Sequence, residues 1–321
     1  MDKSNLTDYS NISYNTIWVE HKLATKLSLQ DISLAVCIIL SSLLNGLILV
    51  AFCKGRKLSH LRDKLLMSLT SADLSRAISG FIPLVKGLMI GAPVKYGPVC
   101  QITGYVITAL ALTSISHLVA LSLVQVFTIS SPYQTSAISE KRLSRLFLIA
   151  AIWLYGLMWA TFPLLGWNGY APENDRKCSI NWGDNSTSGK SYVVMLFLFC
   201  FVLPIITMTA SFSKLQKELR FMTKRAVEVF GSRHHATISS QLAETKHTKL
   251  VMIMVLSFGV AWMPYAVTSF IIACGFSMPK NLIFISGLCG KLSSISNPII
   301  YVLVNKKYRR TVLNLVRRHK M

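Results

Sequence analysis

The chain has 321 residues, is 52% hydrophobic, and sets 34 Lys plus Arg against 13 Asp plus Glu for a formal net charge of +21. Its apolar residues come in blocks of roughly 20 to 25, the length a helix needs to cross a bilayer, which excludes an ordinary soluble enzyme. Nucleic-acid binding is excluded too, because the positive charge falls in the connections between blocks and no basic soluble domain is left to carry it.

Residues 1–30 are polar, contain the acceptor sequons Asn5-Leu6-Thr7 and Asn11-Ile12-Ser13, and lack the apolar core of a secretory leader. They are predicted to form a glycosylated extracellular segment. The apolar blocks then predict seven spans at residues 31–53, 65–85, 98–130, 146–166, 191–213, 250–274 and 282–304. The fold class is therefore all-α, a seven-transmembrane helix bundle over residues 31–304. The segments after the odd-numbered spans hold 23 Lys and Arg, against 9 in the N-terminal segment and the other connections. By the positive-inside bias the N-terminus is extracellular and the C-terminus cytoplasmic. A third sequon, Asn185-Ser186-Thr187, falls on the same outer side as the first two. Residues 305–321 interleave bases with Val312, Leu313, Leu315 and Val316, which predicts a short amphipathic eighth helix lying on anionic membrane lipid.

The first span carries Asn45, and the second carries Asp73 with Arg76 three residues on, nearly one turn away on the same face. Polar side chains at that depth face the bundle interior, so Asn45, Asp73 and Asn297 of the seventh span are expected to form one network. Cys100, at the outer end of the third span, and Cys178, in the outer loop before the fifth, both see the oxidising side and are expected to pair. The other cysteines lie in or at the ends of spans, where a thiol is a small apolar group. Pro204, Pro264 and Pro298 each remove a backbone hydrogen bond, bend their helix and open room inside the bundle.

Lys291 is the most informative residue. It is the tenth of its span, about 13 Å deep at 1.5 Å per residue. An ammonium at such depth costs about 2.5–3.5 kcal/mol on insertion scales. It therefore calls for a water-filled cavity, a carboxylate, or conversion to a Schiff base, since a desolvated Lys gives up its proton and condenses with aldehydes.

Asn45, Leu69-Thr70-Ser71-Ala72-Asp73, the Cys100 and Cys178 pair, Trp153, Pro204, Trp262-Met263-Pro264 and Asn297-Pro298-Ile299-Ile300-Tyr301 together resemble the rhodopsin-type family of G-protein-coupled receptors. The resemblance runs from residue 31 to about residue 318. Lys291, six residues before Asn297, resembles the retinal-attachment lysine of the opsin branch. It implies retinal, 11-cis or all-trans, as the chromophore, a light-switched helix bundle, and a heterotrimeric G protein as partner. Trp262, Tyr265 and Phe258 resemble the aromatic residues that flank retinal. Tyr170-Ala171-Pro172-Glu173 resembles the opsin lid and its carboxylate, with the interval from Glu173 to Cys178 one residue shorter than usual. Thr103 stands where vertebrate visual opsins carry a third-helix Glu counter-ion, which implies a place for it among the retinal-binding residues. The counter-ion candidates are then Glu173, Asp73 or a bound chloride, with Arg76 as a second cation nearby.

At the inner face the acidic–Arg–aromatic triplet of this family is replaced by Val124-Gln125-Val126. Phe212 stands where a Tyr helps hold the active state, and Glu244 lacks the Arg that it would latch, while Tyr301 is kept. Three functions compete. The first is a light sensor signalling through a G protein. The second is a photoisomerase resembling retinochrome, whose product is the isomerised retinal. The third is a receptor for a diffusible ligand, which Lys291 disfavours.

Overall fold

The computed structural model describes residues 28–54, 61–90, 94–131, 141–173, 177–230, 235–304, 309–310 and 312. Asn5 and Asn11 lie outside them, as does most of the segment 305–321, of which Val312 is buried against the main core. The elements are helices α1 (Leu29–Lys54), α2 (Leu61–Ser79), α3 (Phe81–Ile90), α4 (Pro98–Ser130) and α5 (Arg142–Thr161), then strands β1 (Tyr170–Glu173) and β2 (Lys177–Ile180). Helices α6 (Thr187–Phe197), α7 (Leu203–Phe230), α8 (His235–Ala273) and α9 (Lys280–Val304) complete the described chain.

Six of the seven spans are recognisable by length and hydropathy alone. The second is built from α2 and α3 and is not, because Arg62, Asp63, Lys64, Asp73 and Arg76 dilute its apolar residues. Its two helices meet at Gly80, whose N–H still donates to Arg76 O and Ala77 O. The fifth span is α6 and α7 joined through a π-helical turn, Leu198–Val202. Such an extra-residue turn re-aims the side chains around it, here Cys200 and Phe201 on the wall of the central cavity.

Two boundaries differ from the sequence expectation. The spans predicted to end at residue 213 and to start at residue 250 continue as helix to Phe230 and back to His235. Hydropathy registers only the part of a helix that lies in hydrocarbon, and these extensions are basic and polar. The other five spans fall within a few residues of their predicted ends.

The core lies in the inner half of the bundle, where Leu65, Leu69, Leu118, Met254 and Tyr301 are fully buried. Three polar groups cross-brace it. Ser68 Oγ accepts from Trp153 Nε1 at 3.0 Å and lies 2.8 Å from His117 Nε2, tying the second, third and fourth spans. Over the outer end, β1 and β2 form an antiparallel hairpin with Tyr170 opposite Ile180 and Glu173 opposite Lys177. The Cys100–Cys178 disulfide, with Cα atoms 5.3 Å apart, fastens β2 to α4. Tyr170 donates its hydroxyl to Ala160 O at 2.7 Å, and burial pushes this phenol above its ordinary range, so it stays an O–H donor.

Candidate functional site: a cationic cavity under a tethered lid

Beneath the hairpin is a cavity of about 180 Å³, walled mostly by apolar side chains. Helix α9 gives it Lys291, Gly287 and Gly290, while α8 gives Phe258, Trp262 and Tyr265. Phe258 and Trp262 stack with centroids 5.7 Å apart, and Trp262 meets Tyr265 edge-on at 5.9 Å. These three are spaced by about one turn, so α8 offers one continuous aromatic face. The Trp262 indole packs close to α9 at Gly290, where an added Cβ would meet the ring at ordinary contact distance.

Below the cavity, Trp262 Nε1 donates to Ser293 Oγ at 3.0 Å. Arg76 Nη2 donates to the same oxygen at 3.1 Å and pairs with Asp73 Oδ1 at 3.3 Å, with its guanidinium 5.6 Å from the Trp262 ring centroid. Asp73 also accepts from Ser114 Oγ at 2.9 Å and Asn297 Nδ2 at 2.8 Å. Asp73 and Asn297 are thus joined, whereas Asn45 donates to Ser294 O and Ser41 O, one step to the side. The sequence network of three is a pair plus a neighbour.

Above the cavity, Glu173 Oε2 accepts from the Tyr265 hydroxyl at 3.2 Å and pairs with Lys177 Nζ at 3.1 Å. Lys177 Nζ also sits 4.9 Å from the Tyr265 ring centroid. Trp182 Nε1 donates to the same hydroxyl at 3.1 Å. Among the described residues, the charged side chains on the cavity wall are Arg76, Lys177 and Lys291, all cationic. Asp73 and Glu173 stand one layer back, each already facing a cation.

Lys177 was not singled out from the sequence. It reads there as a solvated base in a polar outer loop. The available signal was its place beside Cys178, because the disulfide carries whatever adjoins that cysteine over the mouth of the bundle. Thr103 is corrected in the opposite sense. It is buried but off the cavity wall, with its hydroxyl spent on Val99 O at 2.7 Å and Cys100 O at 3.2 Å. The lid covers the turn that holds Thr103, and the wall begins one turn deeper at Ile107.

At the inner end Gln125 is fully buried. It accepts from Arg62 Nη1 at 3.1 Å and donates to Thr248 Oγ1 at 3.3 Å, linking α2, α4 and α8. Phe212 is half-buried on α7, and the side chain of Glu244 lies outside the described residues. Tyr301 is buried edge-on to Phe52 at 6.4 Å, and Pro298 is buried inside α9. Asn185 is exposed just before α6.

The chain is similar to pinopsin of Columba livia, 27% identical over 286 residues that cover 88% of this chain and 79% of the relative. It is 28% identical to the visual pigment-like receptor peropsin of Mus musculus, over 86% of this chain and 80% of that one. Its fold is that of the crystal structure of squid rhodopsin, with a TM-score of 0.79 at 19% identity over 88% of this chain and 83% of the other. The description "7 transmembrane receptor (rhodopsin family)" matches residues 44–301, most of the chain, and the protein is a multi-pass membrane protein belonging to that family.

Proposed function

We propose that this protein is a retinal-binding photoreceptor in which Lys291 carries retinal as a Schiff base. The observation that carries the reading is Lys291 opening into an apolar, aromatic-walled cavity under a disulfide-tethered lid. The similarity to opsins supports the choice of a retinoid aldehyde. The residues present fit such a group: of the two amines on the aromatic-walled cavity, Lys177 is engaged by Glu173 and Lys291 is left for the aldehyde, with β2 lying over it.

Bound retinal would supply light absorption and a change of shape on isomerisation. The chain's own residues turn that change into movement. Trp262 lines the cavity beside Arg76, so pressure on its ring strains the bond to Ser293 that ties α8 to α9. Pro264, two residues on, leaves α8 one backbone bond short and makes that place the natural hinge. Far below, the Gln125–Thr248 bond holds α8 to α4 until the hinge moves. We place the N-terminus and the sequons outside, and the extended ends of α7 and α8 in the cytoplasm, where a heterotrimeric G protein would meet them.

Reduction with borohydride after incubation with retinal, followed by peptide mapping, is expected to put the adduct on Lys291. Lys291→Ala is expected to form no pigment. A pigment that survives this substitution would overturn the reading.

Gln125 favours a second reading, a photoisomerase-type opsin, because a neutral amide stands where the family's G-protein-engaging Arg is expected. Extraction of retinal before and after illumination, alongside nucleotide exchange on a purified G protein, separates the two. Isomer turnover without exchange selects the photoisomerase; light-dependent exchange selects the signalling receptor.

A further inference from the structure

We infer that Lys177 neutralises Glu173 and thereby keeps the imine at Lys291 unprotonated in the dark, making this an ultraviolet-absorbing pigment. The inference rests on the Lys291 attachment proposed above and names the residue that sets its colour.

Glu173 has the right position for a counter-ion, on the lid above the cavity, but its carboxylate is committed. One oxygen takes both the Lys177 ammonium at 3.1 Å and the Tyr265 hydroxyl at 3.2 Å. The Glu173 side chain is 10% exposed and that of Lys177 20%, so the pair is screened weakly by solvent. Lys177 is also held in place. It is opposite Glu173 in the hairpin register and adjoins the disulfide at Cys178. Its ammonium sits over the Tyr265 ring and against Gly287, where a Cβ would displace it. Gly287 lies four residues, about one turn, before Lys291 on α9, so both amines front the same wall. Lys177, Gly287 and Lys291 also line a second, smaller cavity together.

Among the described residues, the other groups that share the cavity wall with Lys291 do not supply a negative charge. Cys37 from α1 is a thiol, Tyr265 from α8 is a phenol, and Arg76 from α2 is a second cation whose own partner, Asp73, is satisfied by Ser114 and Asn297. A protonated imine there would share the wall with two cations, Arg76 and Lys177, while Asp73 and Glu173 are each already paired with one of them. A buried cation without compensation gives up its proton. The neutral imine needs no partner, and a conjugated imine without its proton absorbs in the ultraviolet.

The test is the absorbance of retinal-bound wild type and the variants Lys177→Met and Lys177→Gln. Wild type is expected to absorb in the ultraviolet with or without chloride, and to gain a visible band only on acidification. Both variants free Glu173 and are expected to shift to the visible at neutral pH. Adding Glu173→Gln to either should return the absorbance to the ultraviolet, while Glu173→Gln alone should leave the wild-type spectrum in place. A wild-type pigment that is already visible at neutral pH overturns the inference, whether or not it needs chloride. So does an ultraviolet spectrum in folded, retinal-loaded Lys177 variants. Borohydride trapping of each sample reports the Lys291 adduct separately: an adduct with the wrong colour refutes the role of Lys177, and no adduct refutes the attachment beneath it.

Discussion

Arg76 is the residue on which two layers of the site meet. It pairs with Asp73, shares Ser293 with Trp262 and lies over the indole face. Removing one partner of a buried pair leaves a bare charge behind, at about 3–5 kcal/mol. Arg76→Met is therefore expected to lower the thermal midpoint strongly, and Asp73→Asn in the same chain to recover most of the loss. Thermal unfolding of both variants in detergent is the measurement; equal destabilisation would mean that Arg76 acts through packing alone. Lys291 was legible in the sequence because a charge inside an apolar run stands out against any background. Lys177 was not, because its burial comes from a disulfide and a hairpin register, and neither leaves a periodic trace. The third-helix position failed for a related reason. Counting from Cys100 locates Thr103 along the helix but does not say that the lid covers that turn.

Among elements, α4 and α8 matter most, since they share both the cavity wall and the inner latch. The latch is made of neutral groups, Gln125 with Thr248, with Arg62 reaching across from α2. A neutral hydrogen bond contributes about 0.5–1.5 kcal/mol. Gln125→Ala is expected to shift the dark balance between closed and open α8 by about five-fold toward open, for a loss of about 1 kcal/mol. Spin labels on the inner ends of α4 and α8 would read that as a longer-distance population; an unchanged distance distribution would show that the latch is ornamental. The apolar parts of these helices were predictable from hydropathy, and their basic extensions were not. Helix beyond the bilayer is sustained by packing and local propensity, which a hydropathy window does not register.

For the whole molecule, the outer half is stapled and the inner half is packed. The disulfide joins residues 78 apart in sequence, and the loop it closes restrains the unfolded chain by about 4.5 kcal/mol in the chain-entropy account. The double variant Cys100→Ser with Cys178→Ser is expected to lower thermal stability and to speed the loss of retinal, because the lid then rests on weaker ties such as Tyr170 to Ala160 and Glu173 to Tyr265. Hydroxylamine access to the chromophore measures the second effect; unchanged access would detach the lid from retention. The architecture as a whole was readable from the sequence, because seven apolar blocks and their charge asymmetry constrain a membrane bundle closely. What was not readable is how the polar residues at its two ends pair, since Gln125 with Thr248 and Tyr265 with Glu173 come together from distant segments.

Helix α8 has 39 residues, about 58 Å at 1.5 Å per residue, against a hydrocarbon thickness of about 30 Å. Its proline is near the outer end, leaving an arm of about 44 Å between Pro264 and His235. A tilt of about 5° at the proline would carry the far tip nearly 4 Å sideways, by the geometry of a rigid rod of that length. A displacement at the cavity too small to break the packing around Trp262 therefore arrives at the far tip of α8 magnified to the width of a side chain. The arm works as a lever, and its mechanical advantage is set by how far the helix outruns the bilayer.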